Sequence, residues 1–295
     1  MRRRLPVVVL ALIAASLAGC APAATAPDPP TPSATPATAT PAPPTDAELD
    51  ALVRVRVLFG HQSIGMSILD AVPALFARAG MPAPQIADVA WPQVRDTADP
   101  AFAHAWIGAN GDPLGKIDDF ASIFDRPLAD SVDIALMKLG AVDITATTDI
   151  RAVFEAYSTT MDRLAREHPG TVFVYATVTL TTQGDEGRPV AASEVGAPPA
   201  TPPGTGTDNA RREQYNALVR ERYGDTGRLF DIADLESRLP DGRVLAAEQD
   251  GVRYRVMNPA VSSDGLHLNA AGASALATAL LDLLGPVAER LVAAR

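Results

Sequence analysis

The sequence predicts an α/β domain of three layers, in which a doubly wound, mostly parallel sheet of five strands lies between helices. Apolar runs with strand character alternate along the chain with helical segments, which is the pattern of repeated βαβ units. Residues 46–295 are numerous enough to form one large domain with its own core. The chain has one cysteine, so no disulfide within it can replace that core.

Five runs are predicted as strands because they are mostly apolar or β-branched and lie between turn-forming or helical segments. They cover residues 53–59, 85–91, 132–139, 171–178 and 228–232. The run at 132–139 has the strongest strand character and is expected to be a central strand, whereas the run at 85–91 is weaker and shorter.

Helical spacing of apolar residues predicts helices at 64–79, 150–167, 209–223 and 270–284. Thr45-Asp46-Ala47-Glu48 has the form of a capping box, which predicts a short first helix where the folded domain begins. Two long stretches, 179–207 and 238–262, are expected to be irregular. They lie at or near the carboxyl ends of strands, where α/β sheets bind ligands.

The first 19 residues have the features of a cleaved export signal. Arg2, Arg3 and Arg4 precede 13 apolar or small residues, a run shorter than the about 20 residues that a membrane-spanning helix needs. Leu17-Ala18-Gly19-Cys20 follows and resembles the lipobox of bacterial lipoproteins. In that family the cysteine is acylated and becomes the first residue of the mature chain. The alternative is an ordinary signal peptide that happens to contain a cysteine.

Residues 20–45 are expected to be a lipidated, disordered linker in front of the domain at 46–295. After Cys20 this segment consists of Ala, Pro, Thr, one Ser and one Asp, and it holds nine of the 26 prolines of the chain. Such a composition offers no apolar face to pack. An extended proline-rich chain rises about 3.1 Å per residue, so the linker could hold the domain up to roughly 80 Å from the lipid.

The charge balance excludes some classes of partner. Without the three arginines of the export signal, 22 basic residues stand against 35 acidic ones, which gives a net charge of −13. Nucleic acid needs clustered basic residues, and so does attachment to anionic lipids by surface charge. Membrane affinity would therefore come from the lipid on Cys20, and stable anchoring takes at least two acyl chains. Ala21 in place of an aspartate favours the outer membrane as the destination within the cell envelope.

Phe59-Gly60-His61-Gln62-Ser63-Ile64-Gly65 places a serine between a predicted strand and a predicted helix. At that junction the hydroxyl of Ser63 would lie at the carboxyl edge of the sheet, next to the free N–H groups of a helix N-terminus. These groups favour an oxyanion beside the serine. The alternative is that Ser63 only caps the helix.

Ser262-Ser263-Asp264-Gly265-Leu266-His267-Leu268-Asn269 precedes the last predicted helix. An aspartate three residues before a histidine can reach back to the imidazole on a turn. A carboxylate on Nδ1–H would leave Nε2 free to take a proton from a serine. The alternative is a helix-capping turn with a solvated histidine.

Together, the two segments resemble the SGNH, or GDSL-like, hydrolase family. The closing run Asp264-Gly265-Leu266-His267-Leu268-Asn269-x-x-Gly272 is similar to the last sequence block of that family. The resemblance spans residues 53–284 and implies an SGNH-hydrolase or flavodoxin-like fold. It also implies Ser63 as nucleophile, His267 as general base and Asp264 as the residue that orients it.

Two blocks depart from the family pattern. Gly60-His61-Gln62-Ser63 replaces the usual Gly-Asp-Ser, and Gly140-Ala141-Val142-Asp143 aligns with Gly-x-Asn-Asp. Val142 stands where the resemblance implies an oxyanion-hole asparagine, and a valine side chain cannot donate a hydrogen bond. The expected substitutes are Asn110 through its side chain and Gly108 or Gly111 through a backbone N–H, together with Ser63 itself. Gln62 is a lesser candidate, and Asn110-Gly111 can equally be a tight turn.

The other polar residues receive lesser roles. His61 is expected to be structural, and His104 and His168 to occupy loops or the surface. Lys138 and Asp143 flank the end of the predicted central strand, where Asp143 is expected to order nearby loops without taking part in bond breaking. No group of residues has the spacing of metal ligands, and no cofactor is expected.

The sequence therefore predicts a serine hydrolase of the cell envelope that cleaves an ester of a small molecule or a glycan. An acetyl ester on an envelope glycan is the substrate that resemblance and location favour. Two alternatives remain open: a glycan-binding module whose catalysis is weakened by Val142, and an O-acyltransferase that uses the same residues. The sequence does not predict the oligomeric state.

Overall fold

The computed structural model describes residues 41–90, 102–182, 186–199, 204 and 206–295. The predicted export signal, Cys20 and most of the predicted linker lie outside these residues. Within them, a mostly parallel central sheet lies between two layers of helices, which is the predicted α/β class.

The described chain contains nine strands. They are β1 (Val57–His61), β2 (Ile86–Asp88), β3 (Phe102–Trp106), β4 (Ile134–Met137), β5 (Val172–Ala176), β6 (Arg188–Val190), β7 (Leu229–Phe230), β8 (Val244–Gln249) and β9 (Val252–Arg255). Six of them form the central sheet in the order β2-β3-β1-β4-β5-β7, and all of its paired strands run parallel. The carboxyl ends of β1, β3 and β4 therefore meet at one edge.

Seven α-helices surround the sheet in the described ranges. They are α1 (Asp46–Leu52), α2 (Ser63–Arg78), α3 (Pro113–Ile123), α4 (Ile150–Glu167), α5 (Asp208–Tyr223), α6 (Ile232–Ser237) and α7 (Ala270–Ala293). The predicted capping box of α1 is present, because the side chains of Thr45 and Glu48 each accept a hydrogen bond from the backbone N–H of the other residue.

Alternating residues of β4 separate the two halves of the core. Ile134 and Leu136 pack with α1, α2 and α7 on one face of the sheet. Ala135 and Met137 pack with α3, α4 and α5 on the other face. A strand buried on both faces has apolar residues at every position, which explains the continuous apolar run that predicted it.

The prediction of five strands was wrong by one strand, β3. Its sequence, Phe-Ala-His-Ala-Trp, has no β-branched residue and carries a histidine, so its strand character is weak. It forms a strand because it lies between β1 and β2 and pairs with both. Helices α3 and α6 were also not predicted.

The stretches 179–207 and 238–262, which were expected to be irregular, contribute β6, β8 and β9 to a small antiparallel sheet. Asp250 and Gly251 connect β8 to β9 with φ values of 52° and 76°. An Asp-Gly pair with two positive φ angles is a common two-residue hairpin turn, so this dipeptide was the signal that could have revealed the hairpin.

By length and composition alone, helix α7 could cross a membrane, and no other helix among the described residues meets these two criteria. More than half of its most apolar window is buried inside the domain. It packs against α1 and α2 as part of the core.

Candidate active site

A small cavity of about 130 Å³ opens at the carboxyl edge of the central sheet. It brings together residues from distant parts of the chain, because β1, β3 and β4 end there and the loop before α7 returns to the same edge. Ser63 and His267 both line it. The other lining residues are Gln62, Ile64, Asn110, Lys138, Gly140, Ala141, Val142 and Leu266.

Asp264 holds the imidazole of His267. The Nδ1 atom of His267 lies 2.7 Å from Oδ2 of Asp264. A carboxylate only accepts hydrogen bonds, so the proton of this contact belongs to Nδ1, and Nε2 of the neutral ring keeps its lone pair. Oδ1 of Asp264 accepts from the backbone N–H groups of His267 at 2.7 Å and Leu266 at 2.9 Å. These backbone bonds and the contact with the His267 ring hold the pKa of Asp264 well below its usual range.

The turn that carries this pair is tied to the start of α7. The side-chain amide of Asn269 donates to the carbonyls of Ala260 and Ser262, while its oxygen caps the helix by accepting from the N–H of Gly272. The hydroxyl of Ser262 donates to the carbonyl of His267. The position of the imidazole is therefore set by the N-cap of a core helix.

Ser63 is the first residue of α2, not its cap. Gln62 occupies the N-cap position and makes no side-chain cap. Instead, its Nε2 donates to the carbonyls of Ile107 at 2.7 Å and Gly108 at 2.9 Å. The N-cap alternative for Ser63 is thus wrong, and Gln62 has no free amide hydrogen for a ligand. The first-turn N–H groups of Ser63 and Ile64 have no intrahelical partner at this position.

Two of the expected oxyanion donors are already engaged. The N–H of Gly108 donates to Asp119 at 2.8 Å, and the N–H of Gly111 donates to Asp143 at 2.9 Å. The N–H groups of Gly108 and Gly111 are therefore not available to an oxyanion, and their prediction as oxyanion donors was wrong. Both residues have positive φ angles, 50° and 85°, which glycine adopts without strain.

Asn110 lies in a tight turn, which was one of the two possibilities left open by its sequence, and its side chain also lines the cavity. The N–H of Asp112 donates to the carbonyl of Ala109, so Asn110 and Gly111 form the centre of a tight turn. Asn110 also lines the cavity, and its Oδ1 accepts from Lys116 Nζ at 2.9 Å. With the oxygen facing the ammonium, the amide nitrogen is the end of the side chain that remains for a ligand.

A buried ion pair joins helix α3 to the loop after β4. Lys116 Nζ donates to both carboxylate oxygens of Asp143 at 2.8 and 2.7 Å, and both side chains are fully buried. Asp143 also accepts from the backbone N–H of Gly140 at 2.6 Å. Asp143 thus orders the loops around the cavity, as its sequence position suggested, but its partner Lys116 was not foreseen.

Val142 lies at the cavity wall with 37% of its surface exposed. It offers no polar atom from its side chain. The N–H groups of the two residues before it are used within the protein: that of Gly140 by Asp143, and that of Ala141 by the hydroxyl of Thr179 at 2.9 Å. The loop after β4 therefore presents no side-chain donor where the family resemblance implies one.

His61 and His104 form an aromatic stack beneath the edge of the sheet. His61 is fully buried, and its ring centre lies 5.1 Å from that of His104. Burial lowers the pKa of His61 to about 3, so the ring is neutral, and its Nδ1–H donates to the carbonyl of Gln62. The expectation of a loop or surface position for His104 was wrong, because His104 is buried in β3. His168 ends α4 and contacts Phe124.

Within the described ranges, no three His, Cys, Asp or Glu side chains lie together in an arrangement that could hold a metal ion.

Comparison with known proteins gives distant likenesses to solved structures. No protein-family model and no curated protein sequence matches the chain. Among solved structures, it is similar to a Streptococcus pneumonia protein provisionally named a platelet activating factor, at 15% identity and a TM-score of 0.44, over 81% of this chain and 91% of that one. It is also similar to a protein of Desulfitobacterium hafniense DCB-2 provisionally named a lipolytic protein of the G-D-S-L family, at 10% identity and a TM-score of 0.43. That likeness covers 78% of this chain and 99% of the other.

Proposed function

We propose that this protein hydrolyses esters with Ser63 as nucleophile, His267 as general base and Asp264 as the residue that orients His267. One observation carries the proposal: Ser63 and His267, which are 204 residues apart in the chain, line one cavity, and a carboxylate holds the far nitrogen of the imidazole. The similarity of the closing motif to that of SGNH hydrolases points to the same chemistry.

The proposed reaction has two balanced steps. Oγ of Ser63 forms a bond to the ester carbonyl carbon while its proton passes to Nε2 of His267, and the carbonyl electron pair moves onto oxygen. The tetrahedral intermediate collapses, and the alcohol leaves with the proton from His267. Water then attacks the acyl-serine, gives its proton to His267, and the acid leaves as Ser63 regains that proton.

The dimensions of the cavity favour a small acyl group. At about 130 Å³ it is well below the roughly 300–1,000 Å³ of typical ligand pockets. His267 and Asp264 are partly exposed, with 40% and 53% of their side-chain surfaces open, so the alcohol part of the ester can lie in solvent. A short acyl group on a large alcohol suits an acetyl ester of a glycan, which we propose as the substrate class.

The test compares Ser63→Ala with the native protein on a short-chain aryl ester such as 4-nitrophenyl acetate. Removal of the nucleophile should lower kcat by at least about 10³-fold. Ser67→Ala is the matched control, because Ser67 lies one turn later in α2 and donates to the carbonyl of Ser63 without lining the cavity. Equal rates for native protein and Ser63→Ala would overturn the proposal.

The two alternatives from the sequence predict different outcomes. A glycan-binding module would keep its glycan affinity in Ser63→Ala and His267→Ala and show no turnover. An O-acyltransferase would move the acyl group to an added sugar acceptor, and product analysis would then detect the acylated acceptor instead of free acid.

We also propose that the protein acts in the cell envelope, tethered by a lipid on Cys20. This proposal rests on the residues of the N-terminal segment: three arginines, a short apolar run, the lipobox-like Leu17-Ala18-Gly19-Cys20 and the proline-rich linker. A tether of this kind would keep the site within reach of envelope glycans.

A further inference from the structure

The chain has only two lysines among its 25 basic residues, and both are buried near the cavity. Lys116 is neutralised by Asp143. Lys138 follows β4, is 2% exposed and lines the cavity with Ser63 and His267. Its Nζ makes one long hydrogen bond, 3.4 Å to the carbonyl of Leu139, and forms no ion pair with any described residue. A buried ammonium that lacks close partners is costly, so its retention calls for a role.

The hydrogen-bond donors around the cavity indicate what the role of Lys138 is. The Gln62 amide and the N–H groups of Gly140 and Ala141, three residues that line the cavity, are used within the protein. The N–H groups of Gly108 and Gly111, in the loop that carries Asn110, are used as well. The other donors among the lining residues include the backbone N–H groups of Ser63, Ile64 and Val142, the amide of Asn110 and the ammonium of Lys138. Of these, only Lys138 carries a full positive charge.

We infer that Lys138 is a catalytic residue of the proposed esterase: its ammonium stabilises the negative charge that forms on the carbonyl oxygen when Ser63 attacks. This inference rests on the proposed function. It explains how the site can tolerate valine at position 142, because a buried cation interacts strongly with an anion in a site shielded from water. It also explains a lysine on a strand end that is otherwise apolar.

The surroundings of Lys138 make this contribution depend on pH. Burial lowers the pKa of Lys138 to about 8, against the attraction of the Glu236 carboxylate. Burial also raises the pKa of Glu236 to about 8. The other charged or titratable groups that face Lys138 or share its cavity are Lys116, Asp143, His61 and His267. Because only the protonated lysine stabilises an oxyanion, kcat/KM should fall as pH rises through about 8.

The kinetic test uses Lys138→Met, which keeps the length of the side chain and removes its charge. We expect kcat to fall about 10²–10³-fold with little change in KM, as for loss of an oxyanion donor, and the decline above pH 8 to disappear. Glu236→Gln is the control for the neighbouring titration and should retain the decline. A decline that survives in Lys138→Met, or that vanishes only in Glu236→Gln, would overturn the inference.

The separate effects of Lys138→Met on kcat and on KM also distinguish oxyanion stabilisation from a role in substrate binding. If Lys138 only binds an anionic group of the substrate, Lys138→Met would raise KM for anionic esters and leave kcat for neutral esters unchanged. That result would contradict oxyanion stabilisation while leaving the proposed esterase intact. An inactive native protein, or equal rates for native and Ser63→Ala, would instead remove the proposed function and the inference with it.

A second measurement observes Lys138 itself, so it does not depend on whether the Lys138→Met variant folds. Isotopic labelling of lysine gives only two side-chain ammonium sites, and Lys138 can be assigned by its nuclear Overhauser contacts to Leu139. Methylboronic acid serves as the probe, because it forms a bond from boron to the serine oxygen and becomes a tetrahedral anion as the serine proton passes to His267. The adduct should raise the pKa of Lys138 by at least one unit in native protein and not in Ser63→Ala, with Lys116 unaffected. An adduct that leaves the Lys138 pKa unchanged would refute the inference.

Discussion

The buried side chain of His61 makes the stability of this fold depend on pH. The ring stacks on His104 and contacts Phe59 and Trp106 edge-on, and its Nε2 has no hydrogen-bond partner among the described residues. The folded protein therefore accommodates only the neutral imidazole, and the pKa is lowered to about 3 from an ordinary value near 6.5. The ring of His267, by contrast, is partly exposed and contacts the Asp264 carboxylate.

We predict that His61 makes the protein sensitive to acid. Between pH 6.5 and about 3, the unfolded chain binds a proton at His61 that the folded chain does not bind. The free energy of unfolding is therefore unaffected by the titration of His61 above pH 6.5 and decreases as pH falls below that value. The free energy of unfolding, measured with urea, should fall between pH 7 and pH 4 for both the native protein and His61→Leu. The fall should be about 3 kcal/mol smaller for His61→Leu than for the native protein. Identical losses for the two proteins would contradict this explanation.

At the scale of the elements, the site depends on how closely α2 follows β1. Only Gln62 separates the last residue of the strand from the first residue of the helix. This tight connection brings Gly65 against His61, where the Cβ atom of any larger residue would collide with the imidazole side chain. Glycine at position 65 therefore allows the helix to begin at Ser63, at the edge of the sheet.

We predict that Gly65→Ala lowers both stability and activity. Relief of the collision requires the first turn of α2 to move, which should cost about 1–3 kcal/mol and misplace Ser63. Gly170→Ala is the control, because an added methyl group at Gly170 meets no atom within 4 Å. Urea unfolding and aryl-ester hydrolysis should change for Gly65→Ala and stay close to native values for Gly170→Ala. Native behaviour of Gly65→Ala would show that the α2 terminus tolerates the shift.

At the scale of the whole molecule, we propose that the domain carries out catalysis and that the N-terminal segment provides a lipid tether. The domain carries the site, while the first 45 residues contain the arginine run, the apolar run, the one cysteine and the proline-rich linker. A net charge of −13 for residues 20–295 would repel anionic lipid surfaces, so we expect membrane attachment to depend on the lipid alone.

We predict that Cys20→Ala abolishes both lipid attachment and membrane association. Metabolic labelling with palmitate should mark the native protein and not the variant, and the variant should move from the membrane fraction to the soluble fraction. Ala21→Asp is the matched control, because it leaves the acylated cysteine in place and should keep the label. Membrane association of an unlabelled Cys20→Ala protein would mean that something other than the lipid holds it.

The sequence by itself determined what depends on local pattern. Periodicity predicted the α/β class and the central strand, because burial on both faces makes such a strand apolar at every position. Ser63 and the Asp264–His267 pair were predicted as site residues because each lies in a short segment at the boundary of an element. The structure places Ser63 and His267 on one cavity, and their catalytic roles stay a proposal. The turn at Asp250-Gly251 had a local signal that was missed.

Only the tertiary structure decided which groups share the cavity and which donors remain available there. The N–H groups of Gly108 and Gly111 are engaged by Asp119 and Asp143, and such contacts between distant segments leave no trace in local spacing. Strand β3 likewise forms because β1 and β2 flank it. The role inferred for Lys138 depends on tertiary structure for the same reason: its burial in the wall of a cavity that Ser63 and His267 also line results from the packing of elements that are remote in sequence.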